Sequence, residues 1–198
     1  MPLEIFENIV QGSPEWVSMR LGLATASCFS DVLAGGQGKT RATYMRRLAG
    51  EILCGEPAET FKSAAMERGQ VVEAEAVRAY ELLTDQEIKR VGFITNHGAG
   101  YSPDGLIGED GSVEFKSMKP ELLLDVLERK PDMTEHKPQC QGGLWISERR
   151  WIDLVIYYPK MPMYIRRFER DPAYIASLAA AVKAFQADVA AMVERHRG

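Results

Sequence analysis

The chain is poor in the residues that build metal clusters, secretion signals and membrane spans. Its 198 residues include only three cysteines and three histidines. Cys28, Cys54 and Cys140 are odd in number and far apart, form no zinc-binding spacing, and are expected to be reduced thiols. His97, His136 and His196 have no ligand spacing either. No apolar run approaches the length of a membrane span, and the N-terminus lacks the basic-then-apolar pattern of a signal peptide. The expected location is therefore cytoplasmic, with no membrane partner. There is no internal repeat and no low-complexity tail. Positive charge is not in excess: the formal net charge of −4 speaks against a nucleic-acid binder that works by bulk attraction. It leaves room for an enzyme with a local basic track, because steering depends on where charges lie. A carboxylate-rich metal site would itself make the formal count more negative than the charge a phosphate meets.

What is present fits a globular fold. Hydrophobic content of 45% suffices for a core, and the length suits one domain over 1–198. Its parts are a helical N-terminal stretch of about 1–60, a core of about 61–170 and a C-terminal helix of about 171–197. Ser13 and Pro14 predict a helix start, with Trp16 facing inward. Thr25 or Ser27 is placed to cap a short helix over Cys28–Leu33, and 35–41 reads as a flexible basic stretch. Tyr44, Leu48, Ile52 and Leu53 mark a helix ending near Gly55. Met66, Gly69, Val72, Ala76, Val77 and Tyr80 recur at helical spacing and predict a long helix over 60–83. Beyond it the period changes: one irregular strand over 88–95, a Gly- and Pro-rich turn over 98–111, and an alternating strand over 112–116. A short helix over 122–127 sits in a charged loop, 118–138, before a helix over 139–147. The run 151–158 predicts a central strand, 164–168 another, and Asp171-Pro172 starts a long Ala-rich helix to Arg195. These elements predict an α/β (α+β) domain: a small mixed central sheet flanked by helices.

The chemistry gathers around Tyr101–Ser117. Asp104 sits in a Pro-Asp-Gly turn, while Glu114 and Lys116 share one face of a strand. Metal-assisted phosphodiester hydrolysis needs hard oxygen ligands for a divalent ion, a group to activate water, and positive charge for the transition state. Asp104, Glu114 and the Phe115 carbonyl match the first need, and Lys116 the others. Asp104 is equally suited to be a plain turn former, and acid-x-Lys patterns arise by chance. Glu73 lies on the apolar stripe of its helix, whereas Glu75 points away; a buried glutamate requires compensation. A metal, a metal-bound water or a buried arginine would each provide it.

Other candidates have two readings. Gln139 and Gln141 open a helix near a Gly-Gly pair, as site residues or as ordinary helix polar groups. Arg20, followed by Thr25 and Ser27 at a helix start, forms an anion pocket or else a cap beside a solvated arginine. Lys39, Arg41, Arg46 and Arg47 form a basic patch that holds a nucleic-acid backbone or is merely solvated. His136 lies in the charged loop, from which it could touch DNA. Trp16, Trp145 and Trp151 read as core before base-stacking groups, and Met161 and Met163 as packing residues.

With these residues in place, the chain resembles the phage-type alkaline exonucleases, the YqaJ-like viral recombinase family. The likeness runs through Q11-G-S-P-E-W16, R20-L-G-L-A-T-A-S27, Y44-M-R-R-L-A-G-E-I-L-C-G55 and R68-G-Q-V-V-E73. It continues into S102-P-D-G105, V113-E-F-K116, Q139-C-Q141 and Trp145. The resemblance implies a restriction-endonuclease-like core. It implies Asp104, Glu114 and the Phe115 carbonyl as metal ligands, Lys116 as the catalytic lysine, Glu73 as the carboxylate of a second metal and its water, and Gln139 beside the nucleophilic water. Arg20 and Ser27, with Thr25, would receive a 5′ phosphate, and Lys39, Arg41, Gln141 and His136 would contact DNA. The implied cofactor is Mg2+, with Mn2+ as a substitute and two ions per site. The implied activity is 5′-to-3′ digestion of linear double-stranded DNA to 5′-mononucleotides, leaving 3′ overhangs. A homotrimeric ring and a phage single-strand annealing protein are the implied partners in recombination. A restriction-type or junction-resolving endonuclease would share the same local core, and a non-catalytic DNA-binding protein is a further alternative. The Arg20–Ser27 element and the Glu73 helix favour the exonuclease.

Overall fold

Two short polar side chains show how two of the helices start. Ser13 Oγ accepts the Trp16 N–H at 3.2 Å, with Pro14 in the first helical position. Asp171 Oδ1 accepts the Tyr174 N–H at 3.0 Å, with Pro172 next. The structure is a computed structural model and describes residues 2–34, 39–58 and 64–197, leaving aside the side chains of 64–71. Positions 35–38 of the expected flexible stretch, and the stripe positions Met66 and Gly69, lie outside what is described.

The first half of the chain forms β1 (Glu4–Phe6), α1 (Pro14–Arg20), β2 (Ala24–Thr25), a 3-10 turn (Ala26–Cys28), α2 (Phe29–Leu33), α3 (Lys39–Cys54) and α4 (Ala64–Thr84). Five strands follow: β3 (Ile88–Lys89), β4 (Phe93–Asn96), β5 (Ala99–Tyr101), β6 (Gly105–Ile107) and β7 (Gly111–Ser117). Then come α5 (Pro120–Arg129), a 3-10 turn (Thr134–His136), α6 (Lys137–Ser147), β8 (Trp151–Tyr157), β9 (Tyr164–Glu169) and α7 (Pro172–His196). The smaller sheet has the order β1-β4-β5-β2 and the larger β3-β6-β7-β8-β9. In the larger sheet β7 and β8 run parallel, from Gly111↔Trp151 to Ser117↔Tyr157, while the other pairs are antiparallel. The fold is therefore α+β, with mixed sheets flanked by helices, as the sequence predicts.

Alternation along β8 sorts the two cores. Ile152, Leu154 and Ile156 join Leu144, Leu178, Val182 and Phe185 on one face. Val155 and Tyr157 join Val113, Phe115, Ala76 and Tyr80 on the other, under α4. Asp153 lies on this second face, only 2% exposed. It accepts Tyr80 Oη at 2.6 Å and both Arg167 Nε and Nη2 at 2.8 Å. Arg167 in turn lies 3.7 Å from the centre of the Trp151 ring. This network fastens α4 to the sheet.

Several expectations need correction. The strand expected over 88–95 is two strands in different sheets, β3 and β4. The break falls at Gly92, where a Cβ would lie 2.0 Å from the Ile9 carbonyl oxygen and whose N–H bonds the Phe6 carbonyl. The turn expected over 98–111 contains β5 and β6. Gly100 lies in β5 because a Cβ there would strike the Phe93 ring at 2.3 Å, so this glycine serves close approach within a strand. Neither Thr25 nor Ser27 makes a side-chain cap, and the expected helix is a 3-10 turn followed by the five-residue α2. Trp16 is half-buried rather than core. The middle strand of the larger sheet is β7, with β8 beside it. Finally, α7 is long and apolar enough to cross a membrane by length and composition, contrary to the expectation of no such run. Ile175, Leu178, Val182, Phe185, Val189 and Val193 recur at helical spacing along it and are buried in the first core.

Removing the Asp153 carboxylate strands a buried tyrosine hydroxyl and a half-exposed arginine. Asp153→Ala is expected to cost about 2–3 kcal/mol and Tyr80→Phe about 1–2 kcal/mol. Urea unfolding measures both; an Asp153→Ala protein as stable as the wild type would mean that the network does not hold α4.

Candidate active site

The site forms where the larger sheet comes apart. β6 pairs with β7 from Ile107↔Gly111 to Gly105↔Val113 and no further. Continuing that register would put Pro103 opposite Phe115, and a proline has no N–H to give. The Phe115 N–H is instead taken by Asp104 Oδ2 at 2.6 Å. A paired strand residue sends its N–H and C=O out by the same edge, so the Phe115 carbonyl opens toward Asp104 as well. Its ring points into the second core, in an edge-on contact with Tyr80.

Glu114 and Lys116 lie on the opposite face of β7. Lys116 Nζ is 2.8 Å from Glu114 Oε1, and Gln139 Nε2, from the first turns of α6, donates to the same oxygen. Glu114 is only 4% exposed, and its Oε2 is buried with no hydrogen-bond partner among the described residues. Burial pushes the Asp104 carboxyl well above the usual carboxylate range, helped by Glu114 and then Glu73, against the pull of the Phe115 N–H and Lys116. Burial weighs on the Lys116 ammonium, but Glu114 outweighs it and holds that group above its ordinary value. A buried carboxylate oxygen without a donor beside a carboxyl that resists ionisation is a site short of positive charge. Asp104, Glu114 and the Phe115 carbonyl therefore fit a hard divalent cation.

Glu73 does not complete a three-carboxylate cluster. Among the described residues no three His, Cys, Asp or Glu side chains converge on one point. Glu73 Oε1 pairs with Arg90 Nη1 at 2.6 Å, and the same nitrogen donates to the Asp104 carbonyl at 2.8 Å. Glu73 is also less buried than its stripe predicts, with 32% of its side chain exposed. The arginine pairing left open by the sequence is thus what forms, with a partner that is 49% exposed.

The second polar group lies next door. Arg20 Nη1 and Trp16 Nε1 both donate to Ser102 Oγ, at 2.9 and 3.0 Å. The Arg20 guanidinium stacks 4.1 Å from the Trp16 ring centre. Thr25, Cys28, Arg47 and Glu51 help line the same cavity of about 210 Å³. Thr25 is buried, with its N–H on Tyr44 Oη and its hydroxyl 3.4 Å from that of the exposed Ser27. Because Ser102 precedes Asp104 by two residues, one short turn joins the cavity to the carboxylates.

Other expected contacts divide. His136, half-buried, senses Lys116 and Glu114; burial and then Lys116 hold its imidazole below the usual value. Gln141 is 1% exposed and spent on the backbone: Nε2 on the Glu169 carbonyl and Oε1 on the Asp171 N–H, each within 2.9 Å. It braces the β9–α7 junction and is not presented to a ligand. Arg41 is drawn to Asp188 at 2.7 Å and fastens α3 to α7. Lys39 is exposed at the start of α3. Sequence reasoning gave no role to Ser102 or Arg90 and took Trp16 for core. Only Ser102, adjoining the Pro-Asp turn, had a local signal.

The raised Asp104 value means that proton binding favours the folded chain. In metal-free protein this stabilisation is present at acid pH and is lost as pH climbs from the ordinary carboxylate range through the raised value. Asp104→Asn abolishes the ionisation and keeps an oxygen for the Phe115 N–H. In chelator it is expected to be more stable than wild type at about pH 8, with the gap closing toward about pH 4. Denaturation midpoints across that range test this; a gap independent of pH contradicts it.

Known proteins resemble this chain over most of its length. Residues 15–150 match the YqaJ-like viral recombinase domain. An alkaline exonuclease (LHK-Exo) from Laribacter hongkongensis is 32% identical, with 92% of this chain and 95% of that one covered and a TM-score of 0.84. The same exonuclease in complex with dAMP gives 32% identity over the same shares and a TM-score of 0.85. A phage related exonuclease from Haemophilus somnus 129PT, at 14% identity, shares the fold, with 87% of this chain and 96% of that one covered and a TM-score of 0.70. No curated protein sequence matches the chain. With a restriction-endonuclease-like α+β core and a family match over most of its length, the chain belongs to the YqaJ-like viral recombinase domain family.

Proposed function

We propose that this protein is a divalent-metal-dependent exonuclease that digests linear double-stranded DNA from 5′ ends, releases 5′-mononucleotides and leaves 3′ overhangs. The observation that carries this reading is the Ser102-Pro103-Asp104 turn, whose first residue binds Arg20 and whose last faces Glu114 across the Phe115 N–H. An end-binding pocket joined this closely to a cleavage site favours removal of the terminal nucleotide over internal cutting. The relative from Laribacter, an alkaline exonuclease, binds dAMP, a mononucleotide of the proposed product class.

Asp104, Glu114 and the Phe115 carbonyl would hold Mg2+, or Mn2+ in its place, and Glu73 would serve a second ion directly or through water. Bound there, the metal would polarise the scissile phosphate and lower the pKa of a water nucleophile. The remaining work belongs to the chain. Gln139 fixes the rotation of the Glu114 carboxylate. Lys116 is held protonated by Glu114 in the metal-free site and so carries positive charge toward a phosphate bound there. Arg20, with the Ser102 hydroxyl beside it, receives the terminal 5′ phosphate; Thr25 lines the same cavity, with the Ser27 hydroxyl 3.4 Å from its own. Two further parts of the proposal are a homotrimeric ring around DNA and a phage single-strand annealing protein that takes over the 3′ overhang.

With magnesium, end-labelled linear duplex should yield mononucleotides from the 5′-ended strand while closed circular duplex stays intact. Lys116→Ala should keep DNA binding and lose digestion by about a hundredfold or more. Efficient cutting of the circle, or undiminished digestion by Lys116→Ala, would overturn the reading. Wild type should prefer ends bearing a 5′ phosphate and Arg20→Ala should not; indifference in the wild type removes the pocket from the mechanism. Light scattering should give three times the chain mass, and a monomer on DNA would refute the ring.

A further inference from the structure

Arg90 is not placed like a surface arginine. It lies in the link between β3 and β4, where the chain leaves one sheet for the other. That link is clamped: the Gly92 N–H bonds the Phe6 carbonyl at 3.0 Å, and Gln11 Nε2 bonds the Val91 carbonyl at 3.3 Å. The same Gln11 nitrogen bonds the Pro103 carbonyl at 2.8 Å. The link and the Asp104 turn are thus tied twice, once through Gln11 and once through the Arg90 guanidinium on the Asp104 carbonyl. The guanidinium then reaches Glu73 on α4 at 2.6 Å.

An ion pair exposed to this degree contributes little to stability. Its consequence is electrostatic. One guanidinium nitrogen bonds both the Glu73 carboxylate and the Asp104 carbonyl, so Glu73 is held beside the Asp104 turn with its oxygen taken by arginine. We infer that Arg90 is a positioning residue of the metal site: its guanidinium stands in for a cation at Glu73 and ties that carboxylate to the Asp104 turn. Divalent binding that draws on Glu73 must then displace or share the arginine. This inference rests on the metal-dependent reading above. A contact stronger in the metal-free form than in the loaded form lowers the apparent affinity for metal by the difference, whatever the contact does for stability.

The test is calorimetric titration of Mn2+ or Mg2+ into metal-free protein without DNA, for wild type, Arg90→Gln, Arg90→Lys, Glu73→Gln and the Arg90→Gln/Glu73→Gln pair. Arg90→Gln is expected to tighten the weaker of two binding events by roughly fivefold, the size of one partly screened charge–charge interaction. Arg90→Met, which keeps much of the aliphatic stem, should act in the same direction if Arg90→Gln folds poorly. Arg90→Lys keeps the charge and should stay near wild type. In the Glu73→Gln background the Arg90→Gln effect should vanish. Unchanged or weaker binding in Arg90→Gln, or an equal gain without Glu73, overturns the role of Arg90 while leaving the metal site standing. A wild-type protein that takes up no divalent ion overturns the metal-dependent reading itself.

Discussion

The hydrogen bond from the Phe115 N–H to the Asp104 carboxylate organises this molecule. It exists because β6 begins at Gly105, two residues short of the position that would cover Phe115. A backbone donor left open inside a sheet is costly, and a carboxylate is a strong acceptor for it. One bond therefore closes the sheet, fixes the turn and aims the Phe115 carbonyl into the same gap. Ser102 and Pro103 are placed by the same turn, so the Arg20 cavity inherits its position from it.

The two acidic residues buried on β7 and β8 show what distinguishes a site from a brace. Asp153 and Glu114 lie on adjacent strands and face opposite cores. Asp153 has an arginine and a tyrosine on its two oxygens and nothing left to satisfy. Glu114 has a lysine and a glutamine on one oxygen and, among the described residues, no partner on the other. Folding alone would favour the first arrangement, because an unpaired buried oxygen carries a desolvation cost. The second is intelligible if a ligand supplies the missing charge.

What the sequence revealed follows from what leaves a local mark. A cap made the start of α1 legible and an apolar repeat the end of α3, and the spans of α6 and α7 were legible to within two residues. β7 and β8 were legible through alternation and β-branched content. The region 88–107 was not, because Gly92 and Gly100 look like turn residues and in fact admit a carbonyl oxygen and an aromatic ring. Asp104, Glu114 and Lys116 could be read because two lie two residues apart on one strand face and the third in a Pro-Asp turn. Gln141 misled because a glutamine bound to a buried backbone junction has the same local signature as one facing a ligand. Arg90 left no mark at all: its partners come from α4 and from the Asp104 turn, and only the fold brings them together.

The order of elements also limits what the site can accept. Arg20 and Trp16 sit on α1 and share the Ser102 hydroxyl, so the cation and the aromatic ring are fixed relative to Asp104 through a single residue. A helix as short as α1, with no fully buried residue, would not hold that geometry by packing alone. Ser13 at its start and the paired bonds to Ser102 near its end supply the constraint, with Gln11 binding the Pro103 carbonyl just upstream. The N-terminal segment is thus fastened to the Ser102–Asp104 turn at three points, on both sides of the helix start. A group held in the Arg20 cavity is consequently held at a set distance from the carboxylates, as the proposed removal of one nucleotide at a time from a chain end requires.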